Sequence, residues 1–155
     1  MNRKLILTTL LFAGLAMPAG EPAGVYHWTA AQLKAFSSSL APKIDQHKVA
    51  AQQLEKYGNY SFMVAHREGP GEAEYHDTQA DIFVVEQGDA TLTVGGKLAN
   101  GRTTGPGEIR GPSITGGSQM KLGTGDIVTI PAKVPHQVIL DPGKKFTYFV
   151  IKVTQ

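Results

Sequence analysis

Apolar residues change their spacing twice along this chain. Leu5 to Ala16 is an almost continuous apolar run, broken only by Thr8, Thr9 and Gly14. From Trp28 to about Leu40 the spacing of Leu33, Phe36 and Leu40 predicts a short helix with one buried face. Thr29, with Gln32 three positions on, makes a capping-box pattern at its start, and Pro42 ends it. Lys48 to Tyr57 is ambiguous. Its Ala-rich composition suggests helix, but Gly58-Asn59 and the strand-like Tyr60 to His66 suggest a hairpin, which is the preferred reading. From Ser61 onward the signals are β: Ile82 to Val85, Ala90 to Val94, Ile127 to Ile130, Gln137 to Leu140 and Phe146 to Val153. Turn residues separate these runs, which predicts a β-sandwich or a small barrel.

The exception is 97–124, which is rich in Gly, Pro, Ser and Thr and carries Glu108 and Arg110 on either side of Ile109. A loop of this length in a compact domain is functional or disordered. It is read as a lid or rim over the barrel mouth carrying a short hairpin, with a surface insertion as the alternative.

Composition changes the picture at the N-terminus. Asn2-Arg3-Lys4 before the apolar run, and small residues after it, read as a secretory signal over 1–19 with cleavage after Ala16 or Ala19. The run is too short to span a bilayer comfortably, although an uncleaved anchor is the alternative. Residues 20–60 would then hold the helix and a lead-in, and 61–155 the barrel. The chain of 155 residues has 18 Gly, 9 Pro and no Cys, so the fold holds without disulfides. Removing Arg3 and Lys4 from its 15 basic residues leaves 13 against 13 acidic ones. A formally neutral mature chain argues against a general nucleic-acid binder, and nothing after the signal predicts stable membrane association.

Two histidines far apart in the chain carry the candidate chemistry. Glu72, Glu74 and His76 are spaced by two, so an extended segment projects them from one face. Asp81 leads the Ile82 to Val85 run, and Pro131 and Pro135 stiffen the approach to His136. Two imidazoles with two carboxylates suit Fe, Mn, Zn, Ni or Cu. The alternative for His76 and His136 is a metal-free polar pocket or plain core packing. Glu74 is either a ligand or a pocket acid that moves a proton, and Asp81 either a ligand or a cap at a strand start. Glu72 is read as solvated or as supporting a ligand. His66 is a weaker candidate for a base in the pocket, and His27 and His47 are expected outside the barrel. The aromatics Tyr75, Phe83, Phe146, Tyr148 and Phe149 are expected in the core, with one or two lining the pocket.

These spacings resemble the two motifs of the cupin superfamily. The first motif reads Gly, five residues, His-x-His, three or four residues, Glu, six residues, Gly. Here Glu74-x-His76 is followed after four residues by Asp81 and after six more by Gly88, while the opening Gly69 is displaced by one. The second reads Gly, five residues, Pro-x-Gly, two residues, His, three residues, Asn. Here Gly125, Pro131 and His136 keep their places, with Lys133 for Gly and Leu140 for Asn. The resemblance covers about Ser61 to Val153. It implies an all-β fold, a cupin-type double-stranded β-helix (jelly-roll barrel) with the short helix outside it.

It also implies a divalent transition metal held by Glu74, His76, Asp81 and His136. Glu74 and Asp81 in place of His and Glu add negative charge, which favours Fe or Mn, with Zn or Ni as alternatives. The resulting expectation is a periplasmic or secreted metal-binding cupin acting on a small oxygen-rich molecule, with Glu74 as proton carrier if it does not ligate. The alternative is a non-catalytic barrel that binds a sugar or organic acid. A homodimer through a sheet edge or the helix is a third expectation.

Overall fold

The computed structural model describes residues 22–155, so the signal segment expected over 1–19 lies outside the described residues. Among the described residues no helix is long and apolar enough to cross a membrane. Helix α1 (Ala30–Leu40) starts as the sequence predicts. The Gln32 amide donates to Thr29 Oγ1 at 3.2 Å, and the Thr29 amide donates to Gln32 Oε1 at 2.8 Å. A 3₁₀ turn at Ala41–Lys43, carrying Pro42, ends it.

Twelve strands follow: β1 (Val49–Tyr57), β2 (Tyr60–Arg67), β3 (Ala73–His76), β4 (Gln79–Val94), β5 (Lys97–Ala99), β6 (Arg102–Gly105), β7 (Glu108–Gly111), β8 (Ser113–Thr115), β9 (Ser118–Gly123), β10 (Ile127–Ile130), β11 (His136–Ile139) and β12 (Phe146–Thr154). β1 and β2 form the predicted hairpin around Gly58-Asn59. The sheet therefore begins at Val49, ahead of the boundary expected at 61.

Two curved antiparallel sheets share β4. In one, β1, β2, β12 and the first half of β4 lie side by side, with β10 on the far side of β4. In the other, β6, β7, β3, β11 and the second half of β4 do so, with β9 beyond. The sequence signals Ile82 to Val85 and Ala90 to Val94 are thus two halves of one bent strand. β4 carries a bulge at Glu86 and passes to the other sheet after Gly88, where φ is +89° and a Cβ would fall 2.0 Å from the Lys145 carbonyl oxygen. Glycine lets β4 change sheets without breaking.

The space between the sheets is filled by Phe83, Val85, Leu92, Ile130, Val138, Phe146, Tyr148 and Val150. The opposite face of β2 carries Val64, which packs with Leu40 and Ala50 against Phe36 and Phe149, so α1 covers the outside of the first sheet. Strand alternation explains both layers: Met63, Ala65 and Arg67 face inward, and Val64 and His66 face outward.

The segment 97–124 is a set of short strands rather than a loop. β5 pairs with β8, β6 with β7, and β9 with β4. Most important for the site, β7 pairs with β3, which makes this segment a wall of the barrel. Its glycines and prolines hide the strands locally. Pairing with β3 and β4 supplies the stabilisation that local propensity does not.

Candidate metal centre

Register places the site. His136 on β11 stands opposite Glu74 on β3, and Glu74 stands opposite Arg110 on β7. His76, two residues after Glu74, stands opposite Glu108. Paired residues in antiparallel strands share a face, so all five project into the barrel together. Across the cavity Asp81 on β4 pairs with Lys152 on β12. The inward alternation Phe146, Tyr148, Val150 of β12 continues to Lys152.

The four residues expected to ligate come together. Glu74, His76, Asp81 and His136 each offer a ligand atom, all within 4.8 Å of one another. His76, Asp81 and His136 are each 2% exposed, so they are removed from bulk water.

Hydrogen bonds fix both imidazoles. His136 Nδ1 lies 3.1 Å from the Val134 carbonyl, which can only accept, so Nδ1 carries the proton. His136 Nε2, the nitrogen that faces the centre, is buried and has no hydrogen-bond partner among the described residues. Asp81 Oδ2 and Glu74 Oε2 are 3.5 Å and 4.0 Å from it. His76 Nδ1 lies 2.6 Å from Glu108 Oε2, a carboxylate holding the ring by the nitrogen that faces away from the centre. A buried inward nitrogen without a hydrogen-bond partner, beside two carboxylates and an oriented second imidazole, is a donor set that suits a divalent metal. These residues fit one.

Cations surround the carboxylates. Arg67 Nη2 donates to Glu74 Oε1 at 3.1 Å and Arg67 Nε donates to the Tyr148 hydroxyl at 2.8 Å. Arg110 Nη1 pairs with Glu74 Oε2. Lys152 Nζ donates to Asp81 Oδ1 at 2.7 Å and Oδ2 at 3.0 Å, and reaches His76 Nε2 at 3.1 Å. Burial opposes charge on Glu74, but His76, Arg110, Arg67 and His136 outweigh it and hold the carboxyl well below the usual range. Burial likewise opposes charge on Asp81, yet His136, His76 and Lys152 pull it far down. Burial lowers the proton affinity of His76, but Asp81 and Glu74 overcome it and raise the pKa from 6.5 to about 9.

These shifts set an expected pH profile for the metal-free protein. The raised His76 contributes stability that is full below pH 6.5 and lost as pH climbs through about 9. The depressed Glu74 and Asp81 contribute stability above their ordinary 4.5 and 3.8, lost as acid protonates them. Thermal midpoints measured in chelator should fall on both sides of this plateau. A midpoint flat from pH 6.5 to 9 would remove the role given to the His76 proton.

A cavity of about 270 Å³ opens from the centre, lined by Met63, Ala65, Phe83 and Val150 and by the polar Arg67, Glu72, Arg110, Tyr148 and Lys152. His47, expected outside the barrel, lines it too, because the β1 hairpin brings the Asp45–Val49 turn to the rim. His66 does not join the pocket. It faces the other side of β2, fully buried, with Nδ1 2.8 Å from Thr147 Oγ1. Glu72 pairs with Arg102 at 2.6 Å and 2.9 Å at the rim. Tyr148 lines the pocket, whereas Phe149 packs under the helix.

Sequence reasoning missed Arg67, Lys152 and the roles of Glu108 and Arg110. Lys152 had a signal in the every-second-residue pattern of β12. Arg67 had the same in Met63, Ala65, Arg67. Glu108 and Arg110 had none beyond their spacing by two, since only pairing with β3 brings them in.

No family model matches the chain, and no curated protein matches it in sequence. Solved structures do match. The cupin domain of Cnp3 from Schizosaccharomyces pombe is 11% identical, with a TM-score of 0.53 over 74% of this chain and 71% of that one. The cupin-2 domain Rru_A2000 from Rhodospirillum rubrum is 15% identical, with a TM-score of 0.51 over 70% of this chain and 62% of that one. The DMSP lyase DddQ from Ruegeria pomeroyi is 16% identical, with a TM-score of 0.50 over 70% of this chain and 48% of that one. Two sheets sharing a bent strand, motif residues converging inside them and these neighbours lead to one conclusion: the chain has the fold of the cupin superfamily.

Proposed function

We propose that this protein is an exported, metal-dependent cupin that acts on a small, oxygen-rich anion. The observation that carries the reading is the buried, partnerless Nε2 of His136, aimed at Asp81 and Glu74. Glu74, His76, Asp81 and His136 would hold the metal, with Fe or Mn favoured by the two carboxylates. Once bound, such a metal supplies Lewis acidity toward a carbonyl or enolate oxygen, or a centre for oxygen chemistry.

Charge balance supports an anionic ligand. Glu74, Asp81 and Glu108 are offset by Arg67, Arg110 and Lys152. With neutral imidazoles, a divalent cation leaves this cluster positive, so a carboxylate or enolate is the favoured guest. Arg110 and the Arg67–Tyr148 pair line the cavity that such a molecule enters. The Tyr148 hydroxyl accepts from Arg67 and keeps its own proton to donate, and burial raises its pKa. Glu74, between two guanidiniums, is a weak base and serves better as ligand and anchor. The apolar run near the N-terminus supports export. The DMSP lyase among the structural neighbours is a precedent for small-molecule chemistry on this fold.

A second reading, a metal-free barrel that binds a sugar or organic acid, is favoured by one contact: the Lys152 ammonium between Asp81 and His76. Elemental analysis of the untagged protein, recovered from the exported compartment, separates the two. About one equivalent of Fe or Mn per chain is expected. No metal, and none taken up on titration, would move the assignment to the binding barrel.

A further inference from the structure

Among the described residues, Lys152 is the one cation that touches two of the candidate ligands. Its Nζ bonds both oxygens of Asp81, at 2.7 Å and 3.0 Å, and His76 Nε2 at 3.1 Å. His76 Nδ1 is already held by Glu108, so Nε2 is the ring atom left to face the metal position. The Lys152 ammonium stands between that atom and Asp81, so a metal held by both residues would need the position it occupies. Asp81 Oδ2, which faces His76 at 3.4 Å and His136 at 3.5 Å, also accepts from Lys152.

This contact is built into the sheet. The β4–β12 register sets Lys152 opposite Asp81, and the alternation of β12 turns it inward. Asp81 is 2% exposed, so without a cation it would be a buried, unpaired charge. The side chain of Lys152 is 18% exposed and lines the open cavity, which gives the ammonium somewhere to move.

We propose that Lys152 is an internal competitor for the metal position. Its ammonium caps Asp81 and His76 in the metal-free protein, and a metal binds only by displacing it into the cavity. This rests on reading the four-residue cluster as a metal centre. Two consequences follow: the metal-free barrel keeps its carboxylate paired, and the protein holds metal less tightly than its donor set alone would.

The test is Mn(II) affinity by chelator competition, at one pH, for the wild-type chain and Lys152→Met. Removing a charge this close to the metal position should tighten binding by about 100-fold or more. Metal-free Lys152→Met should also melt below the wild type, and Mn(II) should raise its midpoint more than it raises the wild type's. Lys152→Gln, which keeps a hydrogen bond to Asp81, repeats both measurements if the Met variant does not fold. Equal affinities, with the wild type binding, would overturn the competition and leave the metal centre standing. Binding by the variants alone would support it and show that native Lys152 keeps metal out. No binding by any of the three would overturn both the competition and the metal reading.

Discussion

Replacing His136 with alanine should abolish metal binding and leave the barrel folded. His136 Nε2 faces the centre and is the one buried side-chain nitrogen or oxygen without a hydrogen-bond partner among the described residues. Its removal takes away a donor rather than weakening one. The affinity loss should therefore exceed the roughly 10- to 100-fold typical of an outer partner of a metal ligand. Glu108→Gln supplies that comparison. It keeps an acceptor for the His76 Nδ1 proton but loses its charge, so it should fall inside that range. The fold should survive, because the ring of His136 sits at the edge of the apolar cluster, 6.1 Å from Phe83, rather than at its centre. Metal titration followed by chelator competition reads the affinity, and circular dichroism reads the fold. Full metal occupancy in His136→Ala would sink the assignment of this residue as a ligand. An unfolded His136→Ala would instead make the residue a packing element.

The second large effect is on stability. Gly88→Ala should cost about 3 kcal/mol or more, which in a domain of this size lowers the thermal midpoint by roughly 10 °C. Two penalties add. An alanine at φ +89° is strained whatever surrounds it, and its Cβ would fall 2.0 Å from the Lys145 carbonyl oxygen. That oxygen belongs to the backbone leading into β12, so relief requires β4 and β12 to separate at the bend. Gly125→Ala is the matched control. Its φ is +92°, but nothing lies within 4 Å of the added Cβ, so about 1 kcal/mol is expected. Equal losses in the two variants would mean that backbone conformation alone, and not the approach of Lys145, makes Gly88 necessary.

Lys133 shows how far a motif can be read. It stands where the family pattern has glycine, and its φ is +66°, the conformation that glycine would supply. Its amide donates to the His76 carbonyl at 2.8 Å, so the turn before His136 is tied to the strand that carries the other imidazole. The departure in residue type leaves the geometry in place. The motif describes a backbone shape, and a lysine can adopt that shape at a cost of about 1–2 kcal/mol.

Sequence alone determined the elements whose signals are local. The capping box of Thr29 and Gln32, the turn at Gly58-Asn59 and the alternation of the later strands each act within a few residues, and each is where it was expected. Spacing by two put Glu74 and His76 on one face, while the set of four that clusters was legible through the resemblance to the two cupin motifs. Tertiary structure decided the rest. Two predicted strands became one bent strand because a carbonyl from distant Lys145 packs against Gly88. The segment 97–124 became a wall of the site because β3 offered it a partner. Glu108 and Arg110 thereby reached His76 and Glu74, and Lys152 reached Asp81 from the far end of the chain. Pairing between strands is set by hydrogen bonds and packing across long sequence separations. Local propensity and spacing do not encode those contacts, and they decide which charges meet the candidate metal ligands.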